Sequence, residues 1–159
     1  MASSIQSIGE PRFELLYEAH VDLEPPQVVG QTPLGMRQIF YVKGGTFEGP
    51  RMRGEILAGG GDWALIRPDG ALQLDVRATA RTDDGALMHV SYSGLIFASP
   101  QVYQRIFQGE DVPAGEYYCY GTPMYHTAAP QYDWLNRVVA VGKGKIIPGG
   151  IDWRVFALT

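Results

Sequence analysis

Apolar and polar residues alternate along most of this chain. Between 13 and 24, Phe13, Leu15, Tyr17, Ala19, Val21 and Leu23 share one face, while Glu14, Glu18, His20, Asp22 and Glu24 share the other. A period of two is the mark of a half-buried β-strand, because successive side chains point to opposite sides of the pleat. The same rhythm predicts strands at 36–47, 51–58, 63–67, 71–81, 86–97, 117–126, 136–141 and 152–158. Asp69-Gly70 and Asp84-Gly85 mark tight hairpin turns, so the strands from 63 to 97 form a meander. One segment departs from the pattern. Ser99 as N-cap, Pro100 at the first helical position and Gly109 past the end predict a short helix near 100–108, carrying Val102, Tyr103, Ile106 and Phe107. Eight or nine antiparallel strands without strand–helix alternation predict an all-β fold, a closed or nearly closed β-barrel, with a two-sheet sandwich as the alternative. One barrel domain over 12–159 is expected after a flexible N-terminal segment, 1–11.

Composition narrows the function classes. Twenty Gly and 11 Pro among 159 residues exclude a helical bundle, and 45% hydrophobic residues exclude a disordered chain. A net charge of −4 supplies no basic face for nucleic acid. The lone Cys119 forms no internal disulfide and no cysteine-rich zinc site, which fits a reducing compartment. The opening residues lack the basic and apolar regions of a signal peptide, and no apolar run is of spanning length. A cytoplasmic protein without a membrane or nucleic-acid partner is therefore expected, and its low charge and many aromatics predict a homo-oligomer.

Motifs with a fixed chemistry are absent: no GxGxxG after a first strand, no GxxxxGK, no GxSxG and no HExxH. Gly59-Gly60-Gly61 precedes no lysine and reads as a bend between strands. His20, His89 and His126 lie far apart in sequence, so neither a metal nor any other cofactor is expected. More informative is the aromatic run from Tyr117 to His126. Within a strand, Tyr117 faces away from Tyr118 and Tyr120, so one set packs a core and the other contacts a helix or subunit, or else one set lines a pocket. Tyr118, Tyr125 and His126 are its candidate substrate-binding residues.

Several short motifs occur in colinear order over nearly the whole chain: Gly44-Gly45-Thr46-Phe47-Glu48-Gly49-Pro50, Gly54, Gly59-Gly60-Gly61-Asp62-Trp63, Arg67-Pro68-Asp69-Gly70, Asp84-Gly85-Ala86 and Tyr132-Asp133-Trp134-Leu135-Asn136. On these residues the sequence resembles the uncharacterised bacterial and fungal family labelled domain of unknown function 3237, or uncharacterised protein family 0311. The resemblance implies a small barrel of the allene-oxide-cyclase and dirigent type and no defined activity. By analogy, barrels of that group bind hydrophobic small molecules, and some steer cyclisation or coupling without a cofactor.

The family pattern draws attention to Asp62, Trp63, Asp75, Arg77, Tyr92, Trp134 and Asn136. Asp62, released from regular pairing by three glycines, is the candidate general acid or base; its structural alternative is a strand-end hydrogen bond. Asp75 and Arg77 share a strand face that is either solvent, leaving an exposed ion pair, or lumen, making Arg77 a clamp for negative charge. Tyr92 is either a phenolic donor in an apolar wall or plain core. Trp134 and Asn136 share a face if a strand already runs there. Asp62, Arg77 and Tyr92 are thus the catalytic candidates, and Trp63, Asp75, Tyr118, Tyr125, His126, Trp134 and Asn136 the binding ones. The function expected is binding of a small hydrophobic or aromatic ligand, with two extensions. One is a cofactor-independent isomerase, cyclase or lyase on an aromatic or unsaturated metabolite; the other is a non-catalytic carrier or a structural oligomer subunit. The residues alone leave open whether the protein is an enzyme.

Overall fold

In the computed structural model, which describes residues 4–159, ten strands close on themselves. They are β1 (Phe13–Leu23), β2 (Gln27–Thr32), β3 (Gly35–Glu48), β4 (Arg53–Ile56), β5 (Gly61–Ile66), β6 (Leu72–Thr82), β7 (Leu87–Phe97), β8 (Tyr118–His126), β9 (Ala140–Ile147) and β10 (Gly150–Leu158). One α-helix, α1 (Pro100–Phe107), follows β7. Hydrogen-bonded neighbours run β1-β10-β9-β8-β7-β6-β4-β3-β2, and β1 also pairs with β3, which closes an antiparallel barrel. β4 and β5 both lie between β3 and β6 and make one interrupted stave, so the barrel has eight staves with β2 added outside β3.

The predicted meander forms as its turns require. The Asp69-Gly70 and Asp84-Gly85 turns connect β5 to β6 and β6 to β7, with Gly70 at φ 85° and Gly85 at φ 91°. Along β6, Leu74, Val76 and Ala80 are buried while Gln73, Asp75, Arg77 and Arg81 are exposed, the alternation of a strand with one face on an apolar interior. The helix forms over the predicted residues, with the Ser99 hydroxyl accepting from the Val102 N–H at 3.2 Å.

Three local expectations need correction. First, β1 does not keep one rhythm: a register shift between Leu15 and Tyr17 lets Leu16 and Tyr17 both be buried and leaves Phe13 62% exposed. Second, β2 was missing from the predicted strands, since it is an outer strand whose Val28 and Val29 are both exposed and carry no alternation. Third, β9 begins at Ala140 rather than 136, because Pro130–Arg137 forms short 3₁₀ turns kinked at Tyr132, with Tyr132 and Leu135 buried.

That helical segment closes one end of the barrel. Leu135 is 1% exposed within the core, and the Tyr132 hydroxyl donates to the Asp84 carboxylate in the β6–β7 turn. At the opposite end, the exposed segment Glu24–Pro26, Lys43, the β9–β10 turn and α1 surround an opening. Among the described residues, no helix is long and apolar enough to cross a membrane.

Candidate functional site

The barrel encloses a cavity of about 680 Å³, within the range of small-molecule sites. Its wall is the inward face of the staves: Tyr17, Ala19 and Val21 from β1, Leu74, Val76 and Ala78 from β6, Val90 and Tyr92 from β7, and Trp153 and Val155 from β10. Most of this surface is apolar. The charged lining residues Glu24 and Lys43 are solvent-exposed ones at the mouth, and Asp62 is the carboxylate within.

Asp62 owes its position to the interrupted stave. Beyond the break at 57–60, β5 pairs with β6 through Gly61↔Arg77 and Asp62↔Val76, then skips to Leu65↔Gln73. Across that gap the Asp75 N–H has lost a ladder partner, and Asp62 Oδ1 accepts from it at 2.9 Å. Beside the same gap, the Trp63 carbonyl accepts from Arg37 Nη1 at 2.5 Å. Asp62 therefore has the strand-bonding role weighed from sequence, and it also lines the cavity. Its second oxygen accepts no hydrogen bond among the described residues.

Burial pushes the Asp62 carboxyl up from 3.8 to about 6; the Asp75 N–H opposes the shift, the Asp75 charge adds to it and Arg37 weakens it. A folded pKa above the unfolded one means that the native state holds more protons between those values. Asp62 therefore costs the fold stability as pH rises from 3.8 through about 6, the opposite of a salt-bridged carboxylate.

Near Asp62 stand further polar groups. Asp62, Val76 and Tyr92 are direct cross-strand neighbours on β5, β6 and β7, and all three side chains line the cavity. Tyr92 packs edge-on against Trp153 with ring centroids 5.4 Å apart. Burial and the nearby Asp62 charge hold its phenol far above its ordinary pKa. Deeper in the cavity, the hydroxyls of Tyr17 and Tyr125 hydrogen-bond at 2.8 Å, and burial pushes Tyr17 up to about 12. Since two hydroxyls carry two hydrogens and one is used between them, a second remains for a ligand.

The other candidates lie elsewhere. Asp75 and Arg77 face solvent as an exposed ion pair at 3.5 Å, and the Arg77 guanidinium lies 5.6 Å from the Trp63 ring centroid, so Arg77 does not enter the cavity. Trp63 packs on Tyr41 at 6.3 Å, on the opposite side of β5 from Asp62. Tyr118 is 53% exposed and tilts against Tyr120 at 4.7 Å; His126 stacks on His89 at 6.1 Å. Trp134 lies under Arg51 at 3.7 Å, and Asn136 exchanges hydrogen bonds with the Thr127 backbone at 2.9 and 3.0 Å, which ties the closing helical segment to the end of β8. Of the ten candidates, the cavity thus brings together Asp62, Tyr92 and Tyr125.

Tyr17 and Trp153 were not singled out from sequence. Tyr17 lay on a strand face already read as apolar. Trp153 could have been found by reading β9 beside it: Gly142 and Gly144 face the indole, and a Cβ on Gly144 would come within 2.9 Å of the ring. Those glycines look like loop residues in the sequence, yet they make room for a large ring across two strands. Among the described residues, no three His, Cys, Asp or Glu side chains group as a metal site.

Relatives share this architecture. A protein from Clostridium acetobutylicum, named only as a UPF0311 protein, is 28% identical over 156 residues, covering 98% of this chain and 99% of the relative. The crystal structure of a β-barrel-like protein from Acinetobacter baumannii superposes with a TM-score of 0.83 at 33% identity, covering 95% of this chain and 98% of that one. A hydroalkoxylation enzyme from Penicillium herquei is 24% identical over 132 residues, 83% of this chain and 73% of the enzyme. The match to a family model extends over residues 11–158, across all ten strands, and the chain belongs to that family, the proteins of unknown function DUF3237.

Proposed function

We propose that the barrel is a cofactor-independent acid–base catalyst that adds a hydroxyl group across a carbon–carbon double bond within a largely apolar small molecule, closing a ring. The observation that carries this reading is Asp62: a carboxyl with one oxygen fixed by the Asp75 N–H and the other free of hydrogen bonds among the described residues, set in the wall of an apolar cavity. A carboxyl titrating near 6 is present in both protonation states around neutrality, as a group that must give and then retake a proton requires. The hydroalkoxylation activity named for the Penicillium herquei relative supports the reaction class.

The steps balance without an outside reagent. Protonated Asp62 gives its proton to one alkene carbon, and the π pair forms the new C–H bond. A lone pair of the substrate hydroxyl forms the C–O bond to the other carbon, and the hydroxyl proton returns to the Asp62 carboxylate. The apolar wall excludes water that would otherwise capture the developing cation.

The test uses ortho-prenylphenol and related alkenyl phenols in deuterated water. Cyclised product carrying one deuterium on carbon is expected, formed at a rate that falls about tenfold per pH unit above about 6, as the acid form is lost. Cyclisation without carbon-bound deuterium contradicts the mechanism. No product across the panel contradicts the reading itself and leaves a binding barrel.

A further inference from the structure

Beside Asp62 the cavity wall carries further polar groups, Tyr92 and Trp153. Trp153 is 6% exposed, and its Nε1 is buried with no hydrogen-bond partner. The indole meets the Tyr92 ring edge-on, with centroids 5.4 Å apart, and favours the charged form of that phenol. An indole N–H only donates, so whatever it offers Tyr92 engages the phenol oxygen as acceptor. The Tyr92 O–H must then be donated elsewhere, and it bonds no other group among the described residues while its side chain faces the cavity. Tyr92 is half-buried and its hydroxyl is open to the cavity, so the donor is free for a ligand, whereas an apolar wall at this position would be served by phenylalanine.

The cradle of the indole points the same way. A Cβ on Gly142 would stand 3.1 Å from the Trp153 ring, one on Gly144 2.9 Å, and one on Gly121 3.2 Å from Tyr92 and 3.4 Å from Trp153. Three inward glycines seat these two rings together. Among the described residues, no lysine or arginine side chain lines the interior away from the mouth, where Lys43 is exposed, so an anionic ligand would be buried without a countercharge.

We propose that the cavity takes a neutral, largely apolar molecule bearing a carbonyl-type oxygen, which accepts a hydrogen bond from Tyr92, with Trp153 as the positioning residue behind it. This rests on the cavity being the site described above and adds the class of compound it selects. The oxygen binds on β7, one stave beyond Val76 from Asp62, so the ligand spans from the carbonyl to the reacting carbon along that wall.

The experiment measures binding alone, with three probes of one size: 2-acetylnaphthalene, 2-ethylnaphthalene and 2-naphthoate. Tyr92→Phe is expected to weaken the ketone by roughly fivefold, the effect of one hydrogen bond, and to leave the hydrocarbon unchanged. The naphthoate is expected to bind the unaltered protein at least about tenfold more weakly than the ketone. In the infrared, the bound ketone's carbonyl stretch should be lowered by the hydrogen bond, return to its apolar-solvent position in Tyr92→Phe, and return part of the way in Trp153→Phe. A packing role alone would not move that band. Equal losses for ketone and hydrocarbon, naphthoate bound as tightly as ketone, an unshifted carbonyl, or no binding of the ketone each overturn the proposal. Because no turnover is measured, failure here is separate from failure of the deuterium experiment.

Discussion

Replacing Asp62 with asparagine lowers the cyclisation rate by about 10²–10⁴, the usual contribution of a positioned proton-transfer group, while substrate affinity changes by less than about threefold. The substitution separates catalysis from architecture. The asparagine carbonyl can still accept the Asp75 N–H that Asp62 Oδ1 accepts at 2.9 Å, so the patched gap between β5 and β6 persists. What disappears is the exchangeable proton at the cavity wall. A rate within threefold of the unaltered protein, measured by chromatography of the chroman product, removes Asp62 from the mechanism. Arg77→Met is the matched control: its guanidinium is half exposed and paired with Asp75 at 3.5 Å, so rate and affinity stay unchanged.

Gly45→Ala destabilises the barrel by at least about 3 kcal/mol, whereas Gly59→Ala costs about 1–2 kcal/mol. Both glycines have positive φ, 155° and 95° respectively. They differ in what a side chain would meet. A Cβ on Gly45 would lie 2.1 Å from the His20 carbonyl oxygen, and one on Gly59 meets nothing within 4 Å. Gly45 pairs with Val21 and Ile56, so it stands where β3 joins β1 and the barrel closes. A methyl group there must push the closing strands apart. Denaturant unfolding reads the difference directly; equal losses for the two variants would mean that closure at β1–β3 carries little of the stability.

The residues that made the fold legible were those whose pattern is local. The strict alternation from Leu72 to Arg81, the two Asp-Gly turns and the capped segment from Ser99 to Gly109 each fix their own element through nearest-neighbour sterics and burial. The start of β9 is moved by the helical turns before it, and its extension past Val141 is hidden because Gly142 and Gly144 answer to Trp153 on another strand. The site divided along the same line. The family pattern draws attention to both Asp62 and Tyr92, and the three glycines before Asp62 and the apolar face around Tyr92 add a local reason for each. Arg77 and Asp75 shared a face whose direction local alternation left open, and burial of Leu74 and Val76 turned it outward. Trp134 and Asn136 share a face only if a strand already runs there, and the helical turns of Pro130–Arg137, which bury Leu135 against the core, remove that condition. The pairing of Tyr17 with Tyr125 spans 108 residues of sequence and becomes visible only when the staves close.

Proton transfer in this barrel requires Asp62 to be a desolvated carboxyl at the cavity wall. Titration of its carboxyl carbon by ¹³C NMR, assigned by the signal lost in Asp62→Asn, tests that directly: a midpoint near 6 is predicted, and a midpoint near 4, that of a solvated aspartate, would contradict it.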